Sequence, residues 1–220
     1  MLLLAVPIVI WSVTGSYFVL MDLGFIRSDH ISEQSRKKLD ASQIKYPLAA
    51  VYQRYPNAQT ITLKVMVIGQ YYQVKLKEKS LLLDSNSGEV LAEITEQQAR
   101  TIAKGFQHQQ SISREARLIK VALLRDVAPA ELAARHLPVW EMGFDDSAAT
   151  TLYLSASTGD LVTRRHDYWR LFDLFWKWHI MDYDDGEAID NQLLLITTIV
   201  AIIAVIAGLF LIWQRRRRYL

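Results

Sequence analysis

The chain contains no cysteine. This absence excludes disulfides, thiolate metal sites, iron–sulfur clusters and cysteine nucleophiles. The nucleophile elbow of hydrolases, the zinc-protease motif HExxH and the phosphate-binding P-loop are also missing from the sequence. No recognisable catalytic site remains, so the sequence does not predict an enzyme. A folded domain of this chain must be stabilised by its hydrophobic core.

A strong excess of charge is lacking as well. The formal net charge is +2, and four of the positive charges are Arg215 to Arg218 at the end of the chain. Without them the rest of the chain is slightly acidic, which argues against a nucleic-acid partner. The acidic loop at residues 181–192 does not match the ligand spacing of an EF-hand, so no metal site is predicted.

Two long stretches lack charged residues altogether. Residues 2–21 and 193–213 contain no Asp, Glu, Lys or Arg, and a helix of about 20 apolar residues crosses the hydrocarbon core of a bilayer. The sequence therefore predicts two transmembrane helices in a bacterial inner (plasma) membrane, with the lipid bilayer as a partner. Because Arg215 to Arg218 favour the cytoplasmic side, both termini are expected there and residues 22–192 are expected to be periplasmic or otherwise extracytoplasmic.

The region between these stretches contains an internal repeat. Residues 81–90 (LLLDSNSGEV) and 152–161 (LYLSASTGDL) each predict a strand, a Ser/Thr-Gly turn, an acidic residue and another strand. Gly88 and Gly159 occupy the same position in the two copies. Each copy thus predicts an antiparallel hairpin.

The residues before each hairpin complete a larger repeating unit. Short helices are predicted at residues 47–55 and 96–106, the second opened by Thr95 with Gln98 three residues on, as in a capping box. Alternating apolar residues then predict further strands. The predicted unit is one helix followed by three antiparallel strands, and the fold class is α+β. The predicted organisation is a transmembrane helix (2–21), a linker (22–40), two such units (41–93 and 94–166), an aromatic interfacial helix (167–180), the acidic loop (181–192), a second transmembrane helix (193–213) and a basic cytoplasmic tail (214–220).

These units resemble the PepSY domain, in which a helix and three strands end in a hydrophobic segment followed by Thr-Gly-Asp or Thr-Gly-Glu. Residues 150–162 (TTLYLSASTGDLV) match this pattern well, and the first copy, ending Ser87-Gly88-Glu89, is a weaker match. With its flanking apolar stretches the chain is similar to the PepSY-associated transmembrane proteins. The resemblance implies a non-enzymatic extracytoplasmic module that regulates proteases or other cell-surface processes.

The family motif itself is interpreted as a structural turn. The turn Ser157-Thr158-Gly159-Asp160 could be mistaken for a catalytic Ser/Asp site. Hairpin turns, however, need glycine at positive φ, and their Ser, Thr and Asp side chains bond to the backbone. The same interpretation applies to the first copy of the turn.

An aromatic segment precedes the second apolar stretch. Trp169, Phe172, Phe175, Trp176 and Trp178 fall in residues 168–179 (YWRLFDLFWKWH) at largely helical spacing. Aromatic rings with a polar edge favour the lipid headgroup region, so this helix is expected to lie in the membrane interface. Trp213 is expected at the opposite interface.

Two histidines support an alternative function. His30 follows the first apolar stretch and His179 precedes the second, so two-pass topology would place both near the outer face. Such a pair of imidazoles could ligate haem, as in an electron-transfer or iron-uptake accessory protein related to ferric or siderophore reductases. The favoured expectation is a binding or regulatory module without a cofactor, which acts with another membrane or periplasmic protein through its sheet edges or its interfacial helix.

Overall fold

The computed structural model describes residues 2–29, 31–33, 38–108, 116–184 and 186–218. The chain forms two compact units. One, here called the helical unit, comprises Met1–Ile26 and Tyr168–Leu220, and the other, the sheet unit, comprises Arg27–Asp167.

The described part of the chain contains six α-helices and ten β-strands. In chain order these are α1 (Leu2–Leu20), α2 (Leu23–Ile26), β1 (Ile31–Glu33), α3 (Leu48–Arg54), β2 (Thr60–Met66), β3 (Gly69–Lys75), β4 (Ser80–Asp84), β5 (Val90–Leu91), α4 (Glu96–Lys104), β6 (Phe106–His108), β7 (Leu118–Leu124), β8 (Val139–Phe144), β9 (Thr151–Ser155), β10 (Leu161–Arg165), α5 (Asp167–Ile180) and α6 (Gln192–Arg217).

The sheet unit contains two four-stranded antiparallel sheets and one small strand pair. The first sheet has the order β2-β3-β4-β5, and the second has the order β10-β9-β8-β7. In each sheet, consecutive strands are neighbours. β1 pairs with β6 through Ile31 and His108 at one end and Glu33 and Phe106 at the other.

The first sheet buries apolar side chains on both of its faces, because side chains alternate in direction along each strand. Tyr72 and Val74 of β3 pack with Val51 of α3 on one face. Tyr71 packs on the other face in the main core, which also contains Ile102 of α4. Because successive side chains of a strand point to opposite faces, one strand serves both layers.

Helix α4 begins with the predicted capping box. The Thr95 hydroxyl accepts a hydrogen bond from the Gln98 amide, and the Gln98 side chain accepts one from the Thr95 amide. These bonds satisfy amides that the first helical turn leaves unpaired. The helix then buries Ala99, Ile102 and Ala103 against the sheets.

The expected three-stranded sheets were wrong, although the α+β class is confirmed. Each sheet has four strands, because the segment after each Gly-containing turn returns beside the preceding strand. β5 pairs Leu91 with Leu82, and β10 pairs Leu161 with Leu154. The prediction recognised a strand after each turn but did not count it in the three-stranded unit, so it gave one strand too few.

The prediction of two transmembrane helices was also wrong. Among the described residues, only α6 is long and apolar enough to cross a membrane. The corresponding apolar part of α1, Ala5–Leu20, is shorter than the roughly 20 residues that a crossing needs. The two-pass topology is therefore corrected to one membrane-capable helix at the C-terminal end, which is compatible with membrane association.

Helix α6 is fixed at its start by Asn191. The Asn191 side-chain oxygen accepts a hydrogen bond from the Leu194 amide at 2.8 Å, as an N-cap does. Its side-chain nitrogen donates to the carbonyl oxygens of Ile180, at the end of α5, and Ala188, in the intervening loop. One amide side chain thus joins the two helices.

Candidate functional site

A cavity of about 850 Å³ lies along the outer edge of β2, where no other described strand pairs with the first sheet. One wall is formed by residues 63–67, in β2 and the turn that follows it. Gly159, Asp160, Leu161 and Arg164, which span the second motif turn and β10, form another wall. Asp29, Ile31, Ile102 and Phe106 complete the lining.

The cavity faces the edge of β2 and not one surface of its sheet. Successive side chains point to opposite faces of a strand, so a space bordered by five consecutive residues must run along the strand's edge. Strand β2 is the outermost strand of its sheet. Because Met66 pairs with Gly69 across a two-residue turn, the backbone groups of Ile61, Leu63 and Val65 point away from β3.

Gly159 brings the turn of the second copy close to the apolar residues of the cavity. Its φ of +64° lies in the left-handed region that favours glycine. A Cβ atom at this position would lie 2.7 Å from Met66 Cε and 2.9 Å from Ile102 Cδ1. Glycine is therefore required here for two reasons: the turn needs a positive φ, and Met66 and Ile102 leave no room for a Cβ atom.

Asp160 and Lys64 link the two walls. Lys64 Nζ lies 2.6 Å from Asp160 Oδ1 and donates to the Thr158 carbonyl oxygen at 2.9 Å. The other carboxylate oxygen, Oδ2, accepts hydrogen bonds from Gln73 Nε2 at 3.0 Å and Thr158 Oγ1 at 2.7 Å. Residues from β2 and β3 of the first sheet thus hold the turn that precedes β10 of the second.

These bonds set the pKa of Asp160. Burial is the largest single influence and raises its pKa, but the hydrogen bonds and charge of Lys64, together with the hydrogen bonds of Thr158 and Gln73, outweigh it. The net result is a pKa lowered from its ordinary value. The carboxylate is therefore ionised at neutral pH and neutralised by Lys64.

Arg164 is the second cation of the cavity. Its Nη1 donates to the carbonyl oxygens of Ser28 and Ile31, both at 2.7 Å. Within the described ranges Arg164 forms no ion pair, and Asp29, the exposed carboxylate on the lining, has no hydrogen-bond partner. Arg164 thus differs from Lys64, whose charge is already compensated.

The turn of the first copy is also held by local bonds. Gly88 has a φ of +73°, and a Cβ there would collide with the Tyr46 ring. Asp84 Oδ1 accepts hydrogen bonds from the amides of Asn86 and Ser87, and Ser87 Oγ accepts one from the Glu89 amide. None of Ser87, Gly88 and Glu89 lines the cavity.

His179 contacts α1 within the helical unit. Thr14 Oγ1 lies 2.7 Å from His179 Nδ1, and the ring of Phe18 is centred 5.3 Å from the imidazole. Trp11 Nε1 donates to the His179 carbonyl oxygen at 2.8 Å. His30, the other predicted haem ligand, lies outside the described residues. In the described ranges no three residues among His, Asp and Glu form a group suited to a metal ion.

The predicted interface aromatics divide into two groups. Phe172, Phe175 and Trp176 pack on Tyr17 and Phe18 of α1, with ring centres between 4.9 and 6.5 Å apart. Packing between α1 and α5 therefore engages the aromatic residues that spacing alone assigned to the membrane interface.

The remaining aromatics of that prediction are less enclosed. Trp178 is exposed, as are Leu171 and Leu174 on the same helix, and Trp169 is half-buried. Trp213 on α6 is exposed too, and the Arg217 guanidinium lies 4.0 Å from its ring centre. Trp178 and Trp213 thus retain surfaces that lipid headgroups can contact.

Sequence reasoning found the motif turn but missed the cavity beside it. Lys64 and Gln73 lie on predicted strands, and Arg164 lies on β10, which the predicted three-stranded unit left out. No spacing signal joins Lys64 to Asp160, since they are 96 residues apart. Comparisons with models of known protein families, with curated proteins and with solved structures gave no match in any of the three.

Proposed function

We propose that this chain is a membrane-anchored binding module that holds a partner membrane or periplasmic protein at the free edge of β2. The observation that carries the proposal is the cavity along this edge. A sheet edge offers unpaired amides and carbonyls to an incoming chain. An exposed edge strand can also pair with other chains nonspecifically and cause aggregation. A long edge strand that borders a cavity of this size is better explained by a specific binding role.

The proposed location is the bacterial inner (plasma) membrane, with α6 as the anchor. Arg215, Arg216 and Arg217 in its last turn are the side chains that the cytoplasmic face retains. The sheet unit, which precedes α6 in the chain, is then extracytoplasmic. Its lack of cysteine is compatible with that compartment because the core and the Lys64–Asp160 link require no disulfide.

We also propose that the two halves of the sheet unit are PepSY-like repeats. Three features support this: each half has a helix before its sheet, each sheet is a meander of neighbouring strands, and each has glycine at positive φ in the same turn. On this proposal the resemblance extends to a regulatory role without catalysis. Both carboxylate oxygens of Asp160 accept hydrogen bonds, which suits a structural link better than acid–base chemistry.

Position-specific crosslinking in living cells tests the binding role. A photo-reactive amino acid would replace Leu63 on β2, which is 37% exposed, or Ile119 on β7, which is 68% exposed and serves as the control edge. We expect one discrete adduct from position 63 and none from position 119, even though position 119 is more accessible. Equal adducts at both positions, or none at position 63, would contradict a partner at the β2 edge.

The haem-binding electron-transfer or iron-uptake accessory is the alternative proposal. It is favoured by one detail: Thr14 occupies Nδ1 of His179, and Nε2 has no partner in the part of the chain that is described. Ligating histidines commonly have one ring nitrogen fixed in this way. Visible absorption of the purified protein distinguishes this alternative from the binding module.

A further inference from the structure

We propose that the occupant of the cavity is an extended peptide segment that pairs with β2 as an added strand and places a single carboxylate on Arg164. This inference rests on the proposed function, and it specifies the chemistry of the partner. The partner presents an unfolded or loop segment in which apolar residues alternate with polar ones, and one of the polar residues is Asp or Glu.

The backbone argument comes from the walls of the cavity. On one side, Ile61, Leu63 and Val65 direct backbone groups away from β3. On the other side, Leu161 and Arg164 belong to β10, the outermost strand of the second sheet. A space bordered by the edges of two sheets suits an extended chain better than a helix, because an extended chain satisfies the exposed backbone groups.

The apolar lining explains the expected alternation. Met66 and Phe106 are buried members of the main core, and each also borders the cavity, as does Ile102. Every second side chain of a bound strand points to the same side. Apolar side chains at those positions would contact this lining, and the intervening ones would face solvent.

The charge argument concerns Arg164. Lys64 is already neutralised by Asp160, whereas Arg164 has only neutral carbonyl partners in the described ranges. A carboxylate from the bound segment would add a charge-assisted hydrogen bond. Asp29 on the same lining would repel a second acidic residue, so we assign one carboxylate and not an acidic run.

A second copy of β2 does not meet this requirement. Residues 60–66 (TITLKVM) contain one lysine and no Asp or Glu. Antiparallel pairing of two β2 strands would therefore bring no carboxylate to Arg164, and the Lys64 of the second copy would already be neutralised by its own Asp160. The charge pattern favours a partner of different sequence.

Peptide binding to the full-length protein in detergent tests the inference. The probe is a fluorescein-labelled nine-residue peptide, capped at its C-terminus, in which valine alternates with threonine and the central threonine is replaced by Glu. One control peptide has Gln in place of Glu, and another has N-methyl groups on the alternate amides that would pair with β2. Fluorescence anisotropy gives the dissociation constants.

We expect the Glu peptide to bind about tenfold more tightly than the Gln peptide, the effect of one hydrogen bond between charged groups. This preference should disappear in Arg164→Gln, remain in Arg164→Lys and decrease as salt is raised. The N-methylated peptide should not bind. Equal binding of the Glu and Gln peptides, or undiminished binding of the N-methylated peptide, would overturn the inference.

The Arg164 variants lose the hydrogen bonds to the Ser28 and Ile31 carbonyl oxygens, so a loss of binding in them could reflect misfolding. A variant at another position, Asp29, tests the inference without this problem. Asp29→Asn alters an exposed side chain with no hydrogen-bond partner in the described part, so folding should be unchanged. It should tighten binding of the Glu peptide and leave the Gln peptide unaffected. No change with either peptide would count against the inference.

The outcomes also separate this inference from the proposed function. A discrete adduct at position 63 in cells, combined with no preference for the Glu peptide, would leave the binding module standing and reject its acidic occupant. An adduct at position 63 with the mass of two copies of this chain would instead identify a homodimer and reject the peptide.

Discussion

The ammonium group of Lys64 lies 2.6 Å from the carboxylate of Asp160, and this pair joins the first sheet to the turn of the second. It closes a connection between two segments that are far apart in sequence but belong to one compact unit. The Asp160 side chain is 46% exposed and that of Lys64 is 21% exposed. Solvent therefore weakens the pair without abolishing it.

Replacement of Asp160 by Asn should lower the free energy of unfolding by about 1 kcal/mol at neutral pH, the typical value for a partly exposed charged hydrogen bond. The loss arises because Lys64 keeps its position but loses its anionic partner. Urea denaturation measures the change. Glu141→Gln is a matched control, since Glu141 pairs with Lys120 within the second sheet and should affect stability without weakening the link to the first sheet.

The pH dependence of stability should also reflect Asp160. Its folded-state pKa is lowered from the ordinary value of 3.8, so the unfolded state binds the proton more readily. The stabilisation is complete above the unfolded pKa and is lost as the pH falls through the lower, folded pKa. Melting temperatures of the wild type and Asp160→Asn should therefore converge below about pH 4. A difference that persists unchanged at pH 2 would contradict this account.

Alanine at the two motif glycines should destabilise the protein to different extents. Gly159→Ala should cost about 1–2 kcal/mol, from a positive φ and contact with two flexible side-chain ends. Gly88→Ala should cost more, because its Cβ meets the rigid ring of Tyr46. Chemical denaturation compares them, and Gly88→Ala with Tyr46→Ala should recover part of the loss. Equal losses of unfolding free energy in the two alanine variants would show that backbone strain, and not the contacts of the added Cβ, determines both.

An arginine in the middle of α6 should prevent membrane insertion. Ala204→Arg places a charge near the centre of the apolar helix, at a cost of about 2.5–3.5 kcal/mol on insertion scales. Gln214→Arg, beside the terminal arginines, is the control and should insert normally. Carbonate extraction of membranes measures the retained fraction. Full retention of Ala204→Arg would reject α6 as the anchor.

The visible spectrum should be featureless if the binding module is correct. Full-length protein purified from haem-replete cells should show no Soret band, because the proposed binding module holds no cofactor. A Soret band that His179→Ala removes would establish the haem alternative instead. Thr14→Val is the companion variant, because it should shift such a band without abolishing it.

The sequence predicted those parts of the fold that depend on local patterns. The capping box at Thr95 and Gln98 and the glycine turns at Gly88 and Gly159 follow from residue chemistry within four or five positions. The α+β class follows from helical and strand periodicity. Each of these features is determined by neighbours in the chain.

The features that sequence reasoning missed depend on distant segments. The fourth strand of each sheet, which the predicted unit left out, is short: β5 has two residues and β10 has five. Each pairs with the strand before it. Membrane spanning by the first apolar stretch was overestimated because composition does not reveal the length of the apolar helix, which is Ala5–Leu20 among the described residues. The cavity is assembled from four segments of the chain, which contribute residues 29 and 31, residues 63–67, residues 102 and 106, and residues 159–161 and 164, so no single window of sequence contains it.

The side chain of Asn191 connects α5 directly to α6 within the helical unit. It bonds at once to the end of α5, to the loop and to the first turn of α6. A force applied to α6 would therefore reach α5 through one amide side chain, without passing through the ten residues between Ile180 and Asn191. On the proposal that α6 is inserted in a membrane, a force on the inserted helix would be transmitted to α5.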